Sequence, residues 1–259
     1  PTQSPSSAAS DVYKRQDVGS FLLVGGSSDI GILLTKKLVE GGNRVTLLVR
    51  DESRVSDLPE EMVERFVGDA NDEGLVLEAV KSCITSGGGT IGGVGHLVGS
   101  FSVRPPHAMN RESFEEVLST NLTSAFVTLS IACKQMLRAG GGRVVFTSSV
   151  AGSLGLMNHE AISAAKGGLE SMVRSAAATY SKRGIRVNAV APGLTETRLS
   201  TPITSSEASR DAAVGMIPLK RINKAEEVAT TMHWILTEAP DNITGQVFHL
   251  DGGMSKVRS

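Results

Sequence analysis

Tyrosine is scarce in this chain. Only Tyr13 and Tyr180 occur among 259 residues, and aromatic side chains together make up 4%. Few phenolic hydroxyls are therefore on hand to donate a proton. Cysteine is as rare: Cys83 and Cys133 stand alone, with no CxxC pair and no histidine beside them. A disulfide framework is not expected, and a reducing cytoplasm suits the two thiols. Charge of one sign is missing too. Against 26 Lys and Arg stand 27 Asp and Glu, a net charge of −1, so no basic excess exists to hold a phosphate backbone or an anionic membrane. We expect neither a nucleic-acid nor a membrane partner. No unbroken apolar run approaches the roughly 18 residues of a membrane span. Mean hydropathy is +0.01, and no basic-then-apolar export signal is visible. His96 and His107 lack ligand partners at useful spacing, so no metal is assigned.

Glycine is abundant, with 28 residues against a usual share of about 7%. It permits positive φ and close backbone approach, which favours tight turns and a nucleotide site. Residues 1–16 (PTQSPSSAASDVYKRQ) are small, polar and unpatterned, and read as a disordered or non-native tail ahead of one domain spanning 17–259. From Phe21 onward, short β-branched runs alternate with longer helical patterns, the order of repeated βαβ units around a parallel sheet. Strands are expected at Phe21–Gly25, Val45–Val49, Val63–Val67, Val94–Gly99, Val144–Thr147, Arg186–Ala189 and Gln246–Leu250. Helices are expected near Asp29–Gly41, Asp72–Thr85, Ser113–Ala139, Glu160–Arg183 and Ala225–Glu238. The runs FLLVGG and VTLLVR are nearly continuous in apolar residues, as strands buried on both faces are.

After the first strand comes Gly25-Gly26-Ser27-Ser28-Asp29-Ile30-Gly31. Such a turn aims free amide N–H groups and the positive helix end at a phosphate pair, with Gly25 and Gly31 allowing close approach. An ordinary βα turn is the plainer alternative. The spacing resembles the glycine-rich turn of the short-chain dehydrogenase/reductase family. The resemblance continues in order through Asn121 in Thr-Asn-Leu-Thr, Ser149 in Thr-Ser-Ser, Lys166 in Ala-Ala-Lys-Gly-Gly, Pro192-Gly193 and Asp251-Gly252-Gly253, and it covers Phe21 to Met254. It implies an α/β fold, a Rossmann-type, doubly wound, seven-stranded parallel sheet with helices on both faces. It also implies NAD(P)(H)-dependent hydride transfer to or from a small carbonyl, alcohol or conjugated enoyl substrate.

By this resemblance Gly25, Ser27, Ser28, Ile30 and Gly31 form the phosphate turn, and Asp69 and Ala70 meet the adenine after the third strand. Pro192, Gly193, Thr195 and Thr197 hold the nicotinamide amide and phosphates. Asp29 replaces the family's second glycine. Its carboxylate either repels the pyrophosphate or caps the helix with the side chain turned away, and capping is the reading adopted. At the end of the second strand an acidic residue serves NAD and a basic one serves the 2′-phosphate of NADP. Val49 stands at the acidic position and Arg50 follows, so NADP (NADPH) is expected over NAD. The alternatives are Arg50 as a surface charge paired with Asp51 or Glu52, and Asp51 serving NAD. The family's Asn-Asn-Ala-Gly after the fourth strand is altered to Gly99-Ser100-Phe101-Ser102, which implies a reshaped wall beside the adenosine.

The family's chemistry uses a serine to orient the carbonyl, a tyrosine to transfer the proton, and a lysine to lower the tyrosine pKa and hold the nicotinamide ribose. Ser149 and Lys166 keep the family separation without a gap, and the tyrosine position between them is Ile162. Tyr180 lies about four helical turns beyond Lys166, out of reach. Two readings follow. In the first, the chain is an active enzyme that takes its proton from His159, which shares a helix face with positions 162 and 166 and carries an imidazole, a side chain suited to general acid work. The enoyl-reductase branch of the superfamily sets its tyrosine at the spacing that corresponds to position 159, and a water-facing histidine is the alternative. In the second, the chain binds the dinucleotide without turnover, as a sensor or scaffold subunit. Asn121, Ser149, Lys166 and the 192–197 segment favour the first, although Asn121 can also bond helix backbone and Ser149 can close a turn.

Residues 194–218 stand where the family keeps its substrate lid. Leu199, Pro202, Ile203, Met216 and Ile217, with Leu154, Leu156 and Met157, point to an apolar or amphipathic small molecule; a loop packed on the domain would need such anchors too. The long helices Ser113–Ala139 and Glu160–Arg183 imply, by resemblance, a homotetramer or dimer.

Overall fold

Successive side chains of a strand point to opposite faces, so a segment apolar at every position must be covered on both sides. The computed structural model describes residues 19–257, and within them this rule shapes the whole sheet. Tyr13 and the 1–16 tail lie outside the described residues. The strands are β1 (Ser20–Val24), β2 (Arg44–Val49), β3 (Val63–Val67), β4 (Gly93–His96), β5 (Gly142–Thr147), β6 (Ile185–Pro192), β7 (Thr195–Glu196), β8 (Asn223–Lys224) and β9 (Val247–Leu250). The helices are α1 (Asp29–Glu40), α2 (Glu73–Ser86), α3 (Arg111–Leu118), α4 (Ser124–Ala139), α5 (Glu160–Tyr180), α6 (Thr201–Thr204), α7 (Glu207–Gly215) and α8 (Ala225–Thr237).

Seven strands pair in parallel in the order β3-β2-β1-β4-β5-β6-β9. In β1, Leu22 and Val24 join a core with Val76 and Val80 of α2, Ala132 and Met136 of α4, and Leu169 and Val173 of α5. Phe21 and Leu23 join the opposite core with Leu34 and Leu38 of α1 and Val228, Met232 and Ile235 of α8. The fold is therefore α/β, a Rossmann-type doubly wound sheet. The chain builds outward from β1 to β3, then returns to β4 on the other side of β1, and the strand ends part at that reversal.

Five local expectations are corrected. The fourth strand ends at His96 rather than Gly99, which lies in the loop beyond. The sixth strand is longer than expected, because Ala189 to Pro192 pair with β9. The helix expected at Glu160–Arg183 ends at Tyr180 and closes with a short 3₁₀ turn, Ser181–Arg183. The 194–218 loop carries α6, α7 and β7, the last pairing with β8 as a small second sheet. Finally, Ser113–Ala139 is not one uniform helix. A π turn, Ser119–Thr123, separates α3 from α4. There the Asn121 side chain donates to the Val117 carbonyl at 2.9 Å and Ser124 Oγ to the Thr120 carbonyl at 2.7 Å, widening the helix and presenting Asn121 sideways. By length and composition the run Arg111–Ala139 is apolar enough to cross a membrane, yet half of its most apolar window is buried inside the fold. Counting unbroken apolar residues misses it, because scattered polar residues interrupt the run.

Beneath the π turn lies His96, 1% exposed. Its Nδ1 is 3.0 Å from Thr128 Oγ1 and its Nε2 is 3.2 Å from Ser124 Oγ. Burial, with a further contribution from the Lys166 charge, pushes its pKa down to about 3. In the unfolded chain the imidazole takes up a proton near pH 6.5, while the folded one stays neutral. Stability therefore falls as pH drops from about 6.5 toward 3, at up to about 1.4 kcal/mol per pH unit from this residue. Denaturant unfolding between pH 6.5 and 5, above the range of the carboxylates, is expected to show this slope in the parent and a smaller one in His96→Leu.

Candidate active site

Where the winding reverses, at the C-terminal ends of β1 and β4, a cleft of about 710 Å³ opens. Asn121, Ser149, His159, Ile162 and Lys166 all stand in its wall. So do the cofactor candidates Gly25, Ser27, Ser28, Asp29, Ile30, Arg50, Asp69, Ala70, Gly99, Pro192, Gly193, Thr195 and Thr197. Gly31 does not. It lies behind the turn, where a Cβ would fall 2.6 Å from the Gly26 carbonyl oxygen, so its bareness lets α1 press against the turn.

The turn itself is built for an anion. Gly25 has φ +84°, and a Cβ there would lie 2.9 Å from the Val98 amide nitrogen. The helix cap is Ser28, whose Oγ accepts the Gly31 N–H at 3.0 Å. This corrects the expected capping by Asp29. The Asp29 carboxylate instead turns outward, accepting the Arg198 backbone N–H at 2.7 Å and pairing with Arg54 Nη2 at 2.8 Å. Its burial raises the carboxyl pKa, but the Arg198 N–H and the two guanidinium groups outweigh that and hold it below the ordinary range. The Asp29 and Ile30 amides donate to no acceptor among the described residues, as the first amides of a helix waiting for a phosphate would.

At the end of the cleft beside β2 and β3, Arg50 is exposed in the wall and forms no ion pair among the described residues. Asp51 is drawn away from the cleft to cap the next turn. Hydrogen bonds from Ser53 Oγ at 2.6 Å and its N–H at 3.1 Å hold the Asp51 carboxyl below its ordinary value. Asp69 Oδ1 accepts from the Asn71 amide and side chain, at 2.8 and 3.0 Å. Asn71 Oδ1 is buried in the wall without a partner among the described residues, an acceptor left for a ligand such as an adenine amino group. The residues present thus fit a dinucleotide.

At the reacting end, Lys166 is 5% exposed and donates from Nζ to the Thr147 carbonyl at 2.8 Å. Burial lowers its pKa to about 8. Ser149 Oγ accepts the Ala151 N–H at 3.2 Å, so its own hydrogen remains free to donate. Asn121 Oδ1 accepts the Ser100 N–H at 3.1 Å and its Nδ2 donates to Ser100 Oγ at 2.8 Å, tying the altered 99–102 wall to the π turn. A Cβ on Gly99 would sit 3.3 Å from that Oδ1 and 3.8 Å from Lys166 Nζ. His159 is the cap residue of α5 rather than a residue of its first turn, so the expected shared helix face is instead a shared cleft wall. Its Nδ1 lies 2.7 Å from the Met157 carbonyl and therefore carries a hydrogen, leaving Nε2 unused. Ile162, 7% exposed, packs with Val117, Ala151 and Ala165.

Several contributors escaped the sequence reading. The buried Glu170, one helical turn beyond Lys166, accepts Ser148 Oγ and Ser153 Oγ at 2.8 Å each. His249 on β9 extends that network to Ser153 at 3.1 Å. These bonds brace the loop that presents Ser149. Arg54 and Arg198 were missed as well, because only the fold brings them to Asp29.

A family profile described as Enoyl-(Acyl carrier protein) reductase matches residues 25–255. The chain belongs to the short-chain dehydrogenase/reductase family. Carbonyl reductase family member 4 of Danio rerio is 35% identical over 240 residues, covering 90% of this chain and 96% of the relative. The 3-oxoacyl-[acyl-carrier-protein] reductase MabA of Mycobacterium tuberculosis is 32% identical over 235 residues, covering 91% and 92%. Among solved structures, ElxO with NADP bound superposes with a TM-score of 0.83 at 25% identity, covering 92% of this chain and 99% of that one. A tyrosine-to-phenylalanine variant of ElxO is also solved, with NADPH bound. The family is one of NAD(P)-dependent oxidoreductases, and this chain carries its fold.

Replacing Gly25 by alanine forces an L side chain into a left-handed conformation and against the Val98 backbone. We expect a loss of about 1–2 kcal/mol from the conformation alone, read as a lower thermal midpoint. NAD(P)H binding should be lost in calorimetry even at temperatures where the variant is folded.

Proposed function

We propose that this chain is an NADP(H)-dependent reductase or dehydrogenase of a small apolar carbonyl, alcohol or conjugated enoyl compound, with His159 supplying the proton that the family's tyrosine gives elsewhere. The observation that carries this reading is the convergence of Ser149, Lys166, Asn121 and His159 on one cleft wall around Ile162. When bound, the dinucleotide supplies or accepts the hydride. Lys166, its ammonium anchored on the Thr147 carbonyl, holds the nicotinamide ribose. The Ser149 hydroxyl, its oxygen already accepting from Ala151, donates to the substrate oxygen and orients it. His159, fixed through Nδ1 on Met157, delivers a proton from Nε2 as imidazolium. Arg50, just beyond β2 and unpaired among the described residues, faces the 2′-phosphate, and Asp51, engaged with Ser53, leaves NAD without its usual acidic partner.

The rim supports an apolar substrate. Phe101, Met157, Leu199 and Met216 line the cleft while remaining 39%, 85%, 51% and 58% exposed. Such side chains at a mouth gain most when a ligand covers them. The exposed Phe126 and Leu137 on α4 are consistent with self-association through that helix.

A second reading, a dinucleotide-binding sensor or scaffold without turnover, is favoured by one observation: Ile162 is locked into an apolar cluster at the position of the missing hydroxyl. One experiment separates the two. NADPH and NADH binding are measured first, then turnover of a carbonyl and enoyl panel by the parent, His159→Ala and Ile162→Tyr. We expect tighter binding of NADPH, and a fall of about 10²–10⁴ in kcat for His159→Ala. Turnover confined to Ile162→Tyr would establish the second reading, and tighter binding of NADH would remove the role given to Arg50.

A further inference from the structure

Asp29 occupies a position where a side chain is not needed for the turn, and two other segments meet on its carboxylate. Oδ2 accepts the Arg198 N–H at 2.7 Å, and Oδ1 lies 3.3 Å from Arg198 Nε and 2.8 Å from Arg54 Nη2. Arg54 Nη1 also donates to the Ser27 carbonyl. Arg198 opens the 3₁₀ turn that leads into α6 and α7, the substrate loop, while Arg54 belongs to the turn after β2. The Asp29 and Arg54 side chains are only 25% and 19% exposed, so their pairing is screened less than a surface ion pair. Beside them lie the unpaired amides of α1.

We propose that Asp29 is a positioning residue that ties the substrate loop to the cofactor turn through the Arg198 N–H and guanidinium, and that the same carboxylate holds the Arg54 and Arg198 guanidinium groups, which the pyrophosphate of a dinucleotide would otherwise attract. The second half of this statement rests on the reading of the cleft as a dinucleotide site. A carboxylate beside a phosphate site is tolerated because both of its oxygens are already committed to arginine. Its effect is a trade: loop order is gained, and cofactor affinity is held down. Loss of the carboxylate frees Arg54 and Arg198 to face the pyrophosphate and releases the loop.

The parent, Asp29→Asn and Asp29→Gly are compared in two measurements. The first is tryptic cleavage after Arg198 and Arg210 without any cofactor, and the second is NADPH titration by fluorescence. For Asp29→Gly we expect cleavage faster by about two- to fivefold and NADPH binding tighter by a similar factor, the range of partly exposed ion pairs. Asp29→Asn keeps an amide oxygen for the Arg198 N–H, so it should protect the loop better than glycine while still binding NADPH more tightly than the parent. Unchanged cleavage in Asp29→Gly would overturn the tie. Weaker or equal NADPH binding in both variants would overturn the competition. Failure of all three proteins to bind NADPH would remove the dinucleotide reading and the competition with it, while the cleavage rates would still decide the tie.

Discussion

In β1, β2, β5 and β6 apolar side chains face both ways, and helices close each face, so the sheet interior offers a ligand no way in. Each fully buried Leu or Val contributes about 1.5–3 kcal/mol, and that sum fixes the strands far more firmly than any loop contact. Only the strand ends remain open to water. At the C-terminal ends the loops after β1, β3, β4, β5 and β6 surround the reversal of strand order, and the cleft follows from that arrangement. A change in the loops would alter its walls without moving its location.

The cleft has two halves with different physics. On the cofactor side the work is done by backbone: the left-handed Gly25, the bare Gly31 behind it, and the free amides of α1. Side chains there mostly tune charge. On the reacting side the work is done by side chains held in place by others. Ser149 depends on the loop braced by Glu170, Lys166 on the Thr147 carbonyl, and Asn121 on the π turn. The two halves rest on separate contacts, so the isoleucine at position 162, packed with Val117, Ala151 and Ala165, does not touch the phosphate turn.

Alternating apolar runs and glycine punctuation made the sheet, its long helices and the nucleotide turn readable from the chain. The order of motifs from Gly25 through Asn121, Ser149 and Lys166 placed the cleft. What escaped has a common cause in long-range contact. Nothing near Asp29 announces Arg54 or Arg198, since the three meet only after β2 and the loop beyond β6 have folded over α1. Ser28 and Asp29 are both good helix caps in isolation, and the two arginines decide between them by claiming the carboxylate. The π turn was equally hidden, because 119–123 has ordinary helical composition and its widening depends on where the side chains of Asn121 and Ser124 find acceptors.

His96 illustrates how such a buried contact constrains more than packing. Ser124 Oγ gives its single hydrogen to the Thr120 carbonyl, so it can only receive from His96 Nε2. The hydrogen of the imidazole must then be on Nε2, and Nδ1 must accept from Thr128 Oγ1. The other tautomer would set the Nε2 lone pair against the Ser124 oxygen in a fully buried space. The lateral presentation of Asn121 is thus keyed to one tautomer of one histidine.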